Sequence, residues 1–269
     1  MKSTPVTGRL HPDWLVPDWP APPGVKAVCT TRAGGVSVSP YDSLNLAEHV
    51  GDQTAHVASN RALFQHRIDA QTVFLNQIHG TGVLHLTATS LHGGEADACL
   101  TDQPKVACTI MVADCLPVLF TTIQGRCVAA AHAGWRGLVG VGGCGVLETT
   151  FERFRALAQV EYAQVATEVI AWLGPCIGPD AFEVGDDVRA SFMDHDAQSA
   201  PMFKPHAPGK WLANLSGLAR KRLAALGITR IYGNDGTANW CTVTQSSRFF
   251  SHRRDRVSGR FAVSIWRTT

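Results

Sequence analysis

The feature that most constrains this chain is a series of short, continuously apolar runs rich in Val, Ile, Ala and Cys. Each run has the length of a strand, and an unbroken apolar run of that length is typical of a strand buried on both faces. We therefore predict strands at residues 25–31, 73–77, 106–113, 118–123, 127–131, 169–173, 229–232 and 261–266.

Two stretches have the apolar spacing of helices instead, at residues 146–157 and 212–226. Gly227 follows the second stretch, at the position where a glycine commonly ends a helix. No repeat, low-complexity tract or long linker divides the chain. We therefore predict one α/β domain over residues 1–269, with a mixed sheet and helices outside it.

Composition argues against several classes of function. The 269 residues carry a net charge of only +2, and no run of Lys and Arg indicates binding to nucleic acid or an anionic membrane. No apolar stretch has the length of a signal peptide core or a membrane span. Eight cysteines lie mostly in strand-like runs, which favours buried thiols over disulfides. We expect a cytoplasmic protein that acts on small molecules.

Three segments each place a metal-binding side chain at the end of a predicted strand. These side chains are His79, Cys115 and His132. Strand ends are where crevices open in α/β proteins, so ligands from three strands can converge there. Two imidazoles and one thiolate suit zinc, and three protein ligands leave the open position of a catalytic site. The sequence therefore predicts a catalytic zinc site.

Each of these residues alone also fits an ordinary core or turn position. Their neighbours favour the metal, because Gly80, Gly134 and Gly137 free the backbone beside the histidines and Asp114 adjoins the cysteine. Other histidines lie in polar loops or helical contexts, and we interpret them as surface residues: His11, His49, His56, His92 and His206.

Beyond these segments the chain resembles the YfiH-like family, also called the laccase-domain or multicopper polyphenol oxidase family (DUF152). The resemblance covers nearly the whole chain. It runs through the three metal segments and through TTRAGGVS (30–37), SLNL (43–46), VGD (50–52), NR (60–61), LGPCIG (173–178) and FFSHRR (249–254). His252 is a departure, since the family more often has tyrosine there.

The resemblance implies an α/β/β/α-type sandwich with mixed sheets and a site at the base of a pocket. It implies that His79, Cys115 and His132 bind zinc, in agreement with the residue-level prediction. It also implies a purine nucleoside phosphorylase, which converts adenosine or inosine and phosphate to base and ribose 1-phosphate. Family members resemble enzymes that also deaminate adenosine and cleave S-methyl-5'-thioadenosine.

Phosphorolysis requires residues that bind phosphate and ribose. Arg136 lies in a glycine-bearing loop ahead of a predicted helix, whose start offers free N–H groups to an anion. Arg61 and Arg32 could make forked contacts with phosphate, or surface ion pairs. Asn45 and Asp114 could bond ribose hydroxyls, orient a metal ligand or cap a turn. Zinc would polarise an oxygen of phosphate or water near ribose C1'.

Three alternatives remain open from the residues and the family resemblance. A copper oxidase could use the same ligands with Met111 as a weak axial ligand, although no H-x-H pair for a multicopper centre occurs. A cysteine hydrolase could use Cys115 activated by His132. A role in peptidoglycan editing is associated with some relatives.

The zinc-deaminase pattern H-x-E with P-C-x-x-C does not occur, so deamination rests on resemblance alone. The oligomeric state stays open.

Overall fold

The computed structural model describes residues 9–269. Its strands are β1 Val25–Cys29, β2 Gln71–Phe74, β3 Val83–His85, β4 Ala98–Thr101, β5 Val106–Val112, β6 Leu116–Thr122, β7 Val128–Ala133, β8 Val169–Leu173, β9 Glu183–Gly185, β10 Phe203–Ala207, β11 Lys210–Ala213, β12 Arg230–Gly233 and β13 Phe261–Arg267. Its α-helices are α1 Thr54–Ile68, α2 Trp135–Val139, α3 Val146–Ala158, α4 Val165–Glu168, α5 Asp186–Met193, α6 Leu215–Ala225 and α7 His252–Asp255.

Two mixed sheets lie face to face at the centre of the molecule. One has the strand order β1-β13-β5-β2, and the other has the order β12-β8-β6-β7-β4-β3. Alternate residues of β5 point to opposite layers: Cys108 packs between the sheets, and Ala107 packs with Phe64 of α1 on the outer side. Phe154 of α3 and Leu218 of α6 cover the outer face of the second sheet.

This arrangement confirms the α/β/β/α-type sandwich with mixed sheets. It also explains the apolar runs, because strands with a sheet or helix layer on each side have no face exposed to water. All seven residues of β5 are buried. A third, small sheet with the order β10-β11-β9 lies beside this core.

The predicted elements agree with the structure to within a few residues at each end. Gly227 has φ +84°, and the Ile228 N–H donates to the carbonyl of Leu223 at 3.0 Å, so the predicted glycine ends α6. The sequence missed α1, because its surface is polar apart from a narrow buried strip that includes Val57 and Phe64. It also missed α5 and the small sheet.

The structure can be compared with two expectations from the sequence, that the cysteines are buried thiols and that no segment spans a membrane. All eight cysteines are free, and six of them are buried, in line with their place in apolar runs. Cys115 is partly buried and Cys144 is exposed. Within residues 9–269, none of the helices combines the length and the apolar character needed to cross a bilayer.

Candidate metal centre and its cavity

The three predicted metal ligands come together in the structure. His79 lies in the loop after β2, Cys115 in the turn between β5 and β6, and His132 near the end of β7. Their ligand atoms all lie within 4.8 Å of one another. Cys115 Sγ is 3.7 Å from His79 Nε2, and the two imidazole rings are 4.8 Å apart between centroids. In residues 9–269 this is the only group of at least three such side chains that could hold a metal ion.

The backbone around the cluster is held in unusual conformations. His79 has φ +61° and Asp114 has φ +90°, both in the left-handed region that costs about 1–2 kcal/mol per residue for side chains with a Cβ. Gly134 approaches so closely that a Cβ there would lie 2.9 Å from both Cys115 Sγ and His79 Cδ2. The glycine that the sequence placed beside His132 is therefore required by the packing of the cluster.

Asp97 is a functional residue that sequence reasoning missed. It is fully buried just before β4, and its Oδ1 lies 2.8 Å from His132 Nδ1. The same carboxylate accepts hydrogen bonds from the backbone N–H groups of Ile78 (3.2 Å), His79 (2.9 Å) and Gly80 (2.6 Å). Because Nδ1 of His132 is engaged, Nε2 is left as the metal-binding atom. An acid directly before an apolar strand was the signal in the sequence.

Charges in the cluster shift the ionisation of its members. Burial alone would raise the pKa of the Cys115 thiol, but the charge and hydrogen bonds of His132 and His79 lower it to about 6. Burial opposes protonation of His132, yet Cys115 and Asp97 raise its pKa to about 9. Burial would likewise raise the pKa of Asp97, but His132 and the backbone N–H groups hold it below its usual value. The thiolate that a metal requires is therefore favoured.

The Asp114 carboxylate makes no hydrogen bond to His79 or His132. Its Oδ1 accepts a hydrogen bond from Thr242 Oγ1 at 2.6 Å, and its Oδ2 accepts one from the backbone N–H of Arg253 at 2.7 Å. The role of orienting a metal ligand, which the sequence offered to Asp114, is filled by Asp97. Asp114 instead ties the start of α7 to the metal centre.

The cluster lies in the wall of a cavity of about 490 Å³. One part of the wall is apolar and the rest carries charged and polar groups. The apolar part includes Trp135, Ile177, Phe182 and Leu215, and the polar part includes His49, Asp114, His252, Arg253, Arg256 and Arg260. His49 was interpreted as a surface residue, and it is exposed, but it also lines this cavity. This mixed lining suits a ligand that carries both apolar and polar groups.

Two arginines predicted to bind phosphate lie elsewhere. The Arg32 guanidinium donates to Asp42 Oδ2 at 3.2 Å and stacks over the ring of Phe250. Arg61 donates to Glu48 Oε1 at 2.7 Å and stacks over Phe74. Neither residue lines the cavity, and both guanidinium groups are already paired with carboxylates. Their contact with phosphate stays a prediction, and the structure gives it no place in this cavity.

Arg136 and Asn45 are also outside the cavity wall, but each adjoins a residue in it. The exposed Arg136 guanidinium lies 4.4 Å from the ring centroid of Trp135, which lines the cavity. Asn45 is fully buried, and its Oδ1 accepts a hydrogen bond from the backbone N–H of Arg260 at 2.9 Å. The helix start at Gly145, predicted to attract an anion, is occupied by the Glu148 carboxylate instead.

The chain matches one family model over nearly its whole length. The family described as multi-copper polyphenol oxidoreductase laccase matches residues 26–268. Over 254 residues the chain is 47% identical to purine nucleoside phosphorylase YfiH of Escherichia coli strain K12, covering 94% of this chain and 98% of that protein. A purine nucleoside phosphorylase of Pseudomonas aeruginosa is 44% identical, with the same two coverages of 94% and 98%.

Solved structures of relatives have the same fold. A Neisseria meningitidis protein assigned to DUF152 superposes with a TM-score of 0.86 at 45% identity, covering 96% of this chain and 100% of that one. YlmD from Geobacillus stearothermophilus superposes with a TM-score of 0.83 at 27% identity, covering 98% of this chain and 99% of that one.

Proposed function

Because this chain belongs to the laccase-domain (DUF152, YfiH-like) family, and its relatives in two bacteria are named purine nucleoside phosphorylases, we propose that it is a zinc-dependent enzyme of that kind. It would convert a purine nucleoside and phosphate to the free base and ribose 1-phosphate. One observation carries the proposal: the His79, Cys115 and His132 cluster lies in a cavity that is lined both by aromatic and apolar side chains and by arginines.

The donor set fits zinc. Two imidazoles and one thiolate make up three of the four ligands of a tetrahedral catalytic zinc site. The low pKa of Cys115, about 6, favours the thiolate that such a site needs. A zinc ion held here would supply a Lewis acid for an oxygen of phosphate or of water. His79 and His132 are positioned for it by hydrogen bonds to Asp97.

The cavity wall would bind and orient the substrates. Trp135 and Phe182 would provide aromatic contacts to a purine, and Ile177 and Leu215 would add apolar contacts around it. In phosphorolysis a phosphate oxygen bonds to ribose C1' while the bond from C1' to the purine nitrogen breaks. The electron pair leaves with the purine, which then takes up a proton. Holding both reactants in one cavity would lower the entropic part of the barrier.

Other residues predicted from the sequence have proposed roles that follow from where they lie. Asp114 lines the cavity and would accept hydrogen bonds from ribose hydroxyls beside the metal. Arg136 would act from beside Trp135, and Asn45 would act through Arg260. Arg32 and Arg61 are the weakest part of the proposed phosphate site, because each is paired with a carboxylate outside the cavity.

Deamination of adenosine and phosphorolysis of S-methyl-5'-thioadenosine are further proposed activities of the same cavity. Both are supported by the resemblance of the chain to its family. With water in place of phosphate, attack at purine C6 would give inosine and ammonia. We place these activities in the cytoplasm, and the eight free cysteines support a reducing compartment.

Copper chemistry is less well supported by the same site. A multicopper oxidase needs several metal-binding groups, whereas His79, Cys115 and His132 form the one such group within the described part of the chain. Met111 lines the cavity and remains the available axial ligand if a single copper is bound. Copper-dependent oxidation of a phenol under strict metal control would favour this alternative. A separate alternative, a role in peptidoglycan editing, would be favoured by altered muropeptides in a deletion strain.

A second candidate function is a cysteine hydrolase, and one observation favours it. Without a metal, Cys115, His132 and Asp97 form a thiol, imidazole and carboxylate series of the kind that activates a nucleophilic cysteine. A thiolate that binds zinc is not free to attack a substrate. Chelation therefore separates the two functions, because it abolishes a zinc-dependent activity and exposes a cysteine-dependent one.

The test is to incubate zinc-loaded protein with adenosine, with and without phosphate, and to follow adenine, inosine and ribose 1-phosphate. Phosphate-dependent release of adenine is expected, together with its loss in His79→Ala and Cys115→Ala. His85→Ala and Cys144→Ala are matched controls, because both residues are exposed and neither lines the cavity. Absence of turnover of any purine nucleoside by protein with stoichiometric zinc would reject the proposal.

A further inference from the structure

The charges in the cavity wall are unbalanced. Arg253, Arg256 and Arg260 all line it, and Asp114 is the single carboxylate in the described part of the wall. Both oxygens of Asp114 already accept hydrogen bonds, from Thr242 Oγ1 and from the Arg253 backbone. Within residues 9–269 no carboxylate forms a salt bridge with any of the three arginines. A cavity with excess positive charge next to a metal centre favours an anionic ligand.

Arg260 differs from the other two arginines. Arg253 uses its Nη1 and Nη2 on the carbonyls of Ala181 and Glu183, and Arg256 is exposed at the surface. Arg260 is partly buried, and its Nη1 alone is used, on the carbonyls of Ser258 and Gly259. Its Nε and Nη2 donate to no group among residues 9–269. These two N–H groups form the fork that matches two oxygens of a phosphate.

The backbone of Arg260 is fixed from behind by Asn45. Asn45 Oδ1 accepts from the Arg260 N–H at 2.9 Å, while Asn45 Nδ2 donates to Asp52 Oδ2 at 2.9 Å. Gly259 fits tightly against the same side chain, since a Cβ there would lie 3.0 Å from Asn45 Cβ. The backbone of Arg260, at the start of β13, is therefore held by a hydrogen bond and by close packing. This arrangement is what a guanidinium needs if it is to bind an anion in one geometry.

We propose that Arg260 is the residue that binds the tetrahedral oxyanion of phosphate in the cavity, and that Asn45 is the positioning residue behind it. The inference rests on the proposed phosphorolysis for its substrate, but it concerns the binding of phosphate itself. Free phosphate and the phosphate group of ribose 1-phosphate share the chemistry that Arg260 recognises. Both should therefore bind more weakly when the guanidinium is removed.

The test measures binding of inorganic phosphate and of ribose 1-phosphate by calorimetry on zinc-loaded protein, without nucleoside. Arg260→Gln should weaken both at least about tenfold, with zinc content unchanged, because a charge-assisted hydrogen bond is lost. Arg260→Lys should recover part of the loss, since it restores the charge without the fork. Arg126→Gln is the matched control, because Arg126 is exposed on the turn at the far end of β6 and β7.

The role of Asn45 is tested by a double-mutant cycle of Asn45→Ala with Arg260→Gln. A positioning role predicts that the effect of Asn45→Ala on phosphate affinity disappears once Arg260 is replaced, whereas a general loss of stability predicts additive effects. Wild-type affinity for phosphate in Arg260→Gln would overturn the inference while leaving phosphorolysis intact. If wild-type protein binds phosphate through Arg260 but turns over no nucleoside, the proposed function fails and the oxyanion site stands. No binding of phosphate by wild-type protein would overturn the site as well.

Discussion

Replacing Asp97 with asparagine should weaken zinc binding without unfolding the chain. The carboxylate lies 2.8 Å from His132 Nδ1 and accepts hydrogen bonds from three backbone N–H groups of the loop that carries His79. Asparagine has nearly the same shape but replaces one acceptor oxygen with an N–H₂ group. That group would face donors, so some of these four hydrogen bonds must be lost.

The size of the effect follows from the number of ligands that one carboxylate orients. Loss of a single partner behind a metal-bound histidine typically costs about 10–100-fold in metal affinity. Because Asp97 orients both His132 and the loop of His79, we expect the upper end, about 100-fold. A factor of 100 corresponds to about 2.7 kcal/mol of binding free energy.

The assay is competition for zinc between the protein and a chromophoric chelator. Asp102→Asn is the matched control. Asp97 directly precedes β4 and Asp102 directly follows it, but Asp102 is exposed and lies outside the metal cluster. Circular dichroism and a urea titration would establish that each variant is folded. Zinc affinity equal to wild type in folded Asp97→Asn would refute the reasoning that this carboxylate orients the ligands.

Three further predictions concern the same cluster. In metal-free protein, iodoacetamide at pH 7 should modify Cys115 faster than the exposed Cys144, because the pKa of Cys115 is lowered to about 6. Bound zinc should suppress the reaction at Cys115. Equal modification rates of the two cysteines, measured by mass spectrometry, would contradict this prediction. Gly134→Ala should weaken zinc binding at least about tenfold, because the Cβ of the alanine would lie 2.9 Å from Cys115 Sγ. An unchanged affinity for zinc would show that the cluster can shift to make room. The metal-free chain should be most stable to urea between about pH 6 and 9, because the attraction between the Cys115 thiolate and the His132 cation requires both charges. It is lost as pH falls through about 6, where the pKa of Cys115 lies and the thiolate takes up a proton, and as pH rises through about 9, where the pKa of His132 lies and the cation loses one. Cys115→Ser should flatten that profile.

Much of the core could be predicted from the sequence, because burial on both faces leaves a direct signal. The run that became β5 is apolar at every position, and Gly227 marks the end of α6 by a conformation that other residues resist. Helix α1 left no such signal. Its contact with the sheet is a narrow strip around Phe64, and the rest of the helix is polar. The order of the strands depends on long-range pairing, on which local patterns carry no information.

The convergence of His79, Cys115 and His132 could be predicted because donors at strand ends are chemically conspicuous. Asp97 and Arg260 could not be singled out, since the role proposed for each depends on what the fold places beside it. Both residues directly precede strands, β4 and β13, whereas the strand-end argument considered the residues that follow a strand, and β4 was not predicted. By contrast, Arg32 and Arg61 stood out in sequence motifs but are neutralised by neighbouring carboxylates in space.

The three ligands come from different layers of the sandwich. His79 follows a strand of one sheet, His132 belongs to a strand of the other, and Cys115 lies where the chain crosses between them. A bound ion would therefore act as a cross-link between the layers, and its binding energy would count toward holding them together. At a free zinc concentration 100 times the dissociation constant, the folded chain would gain about 2.7 kcal/mol. A cell that withholds zinc would then reduce how long the protein survives proteolysis as well as how fast it works.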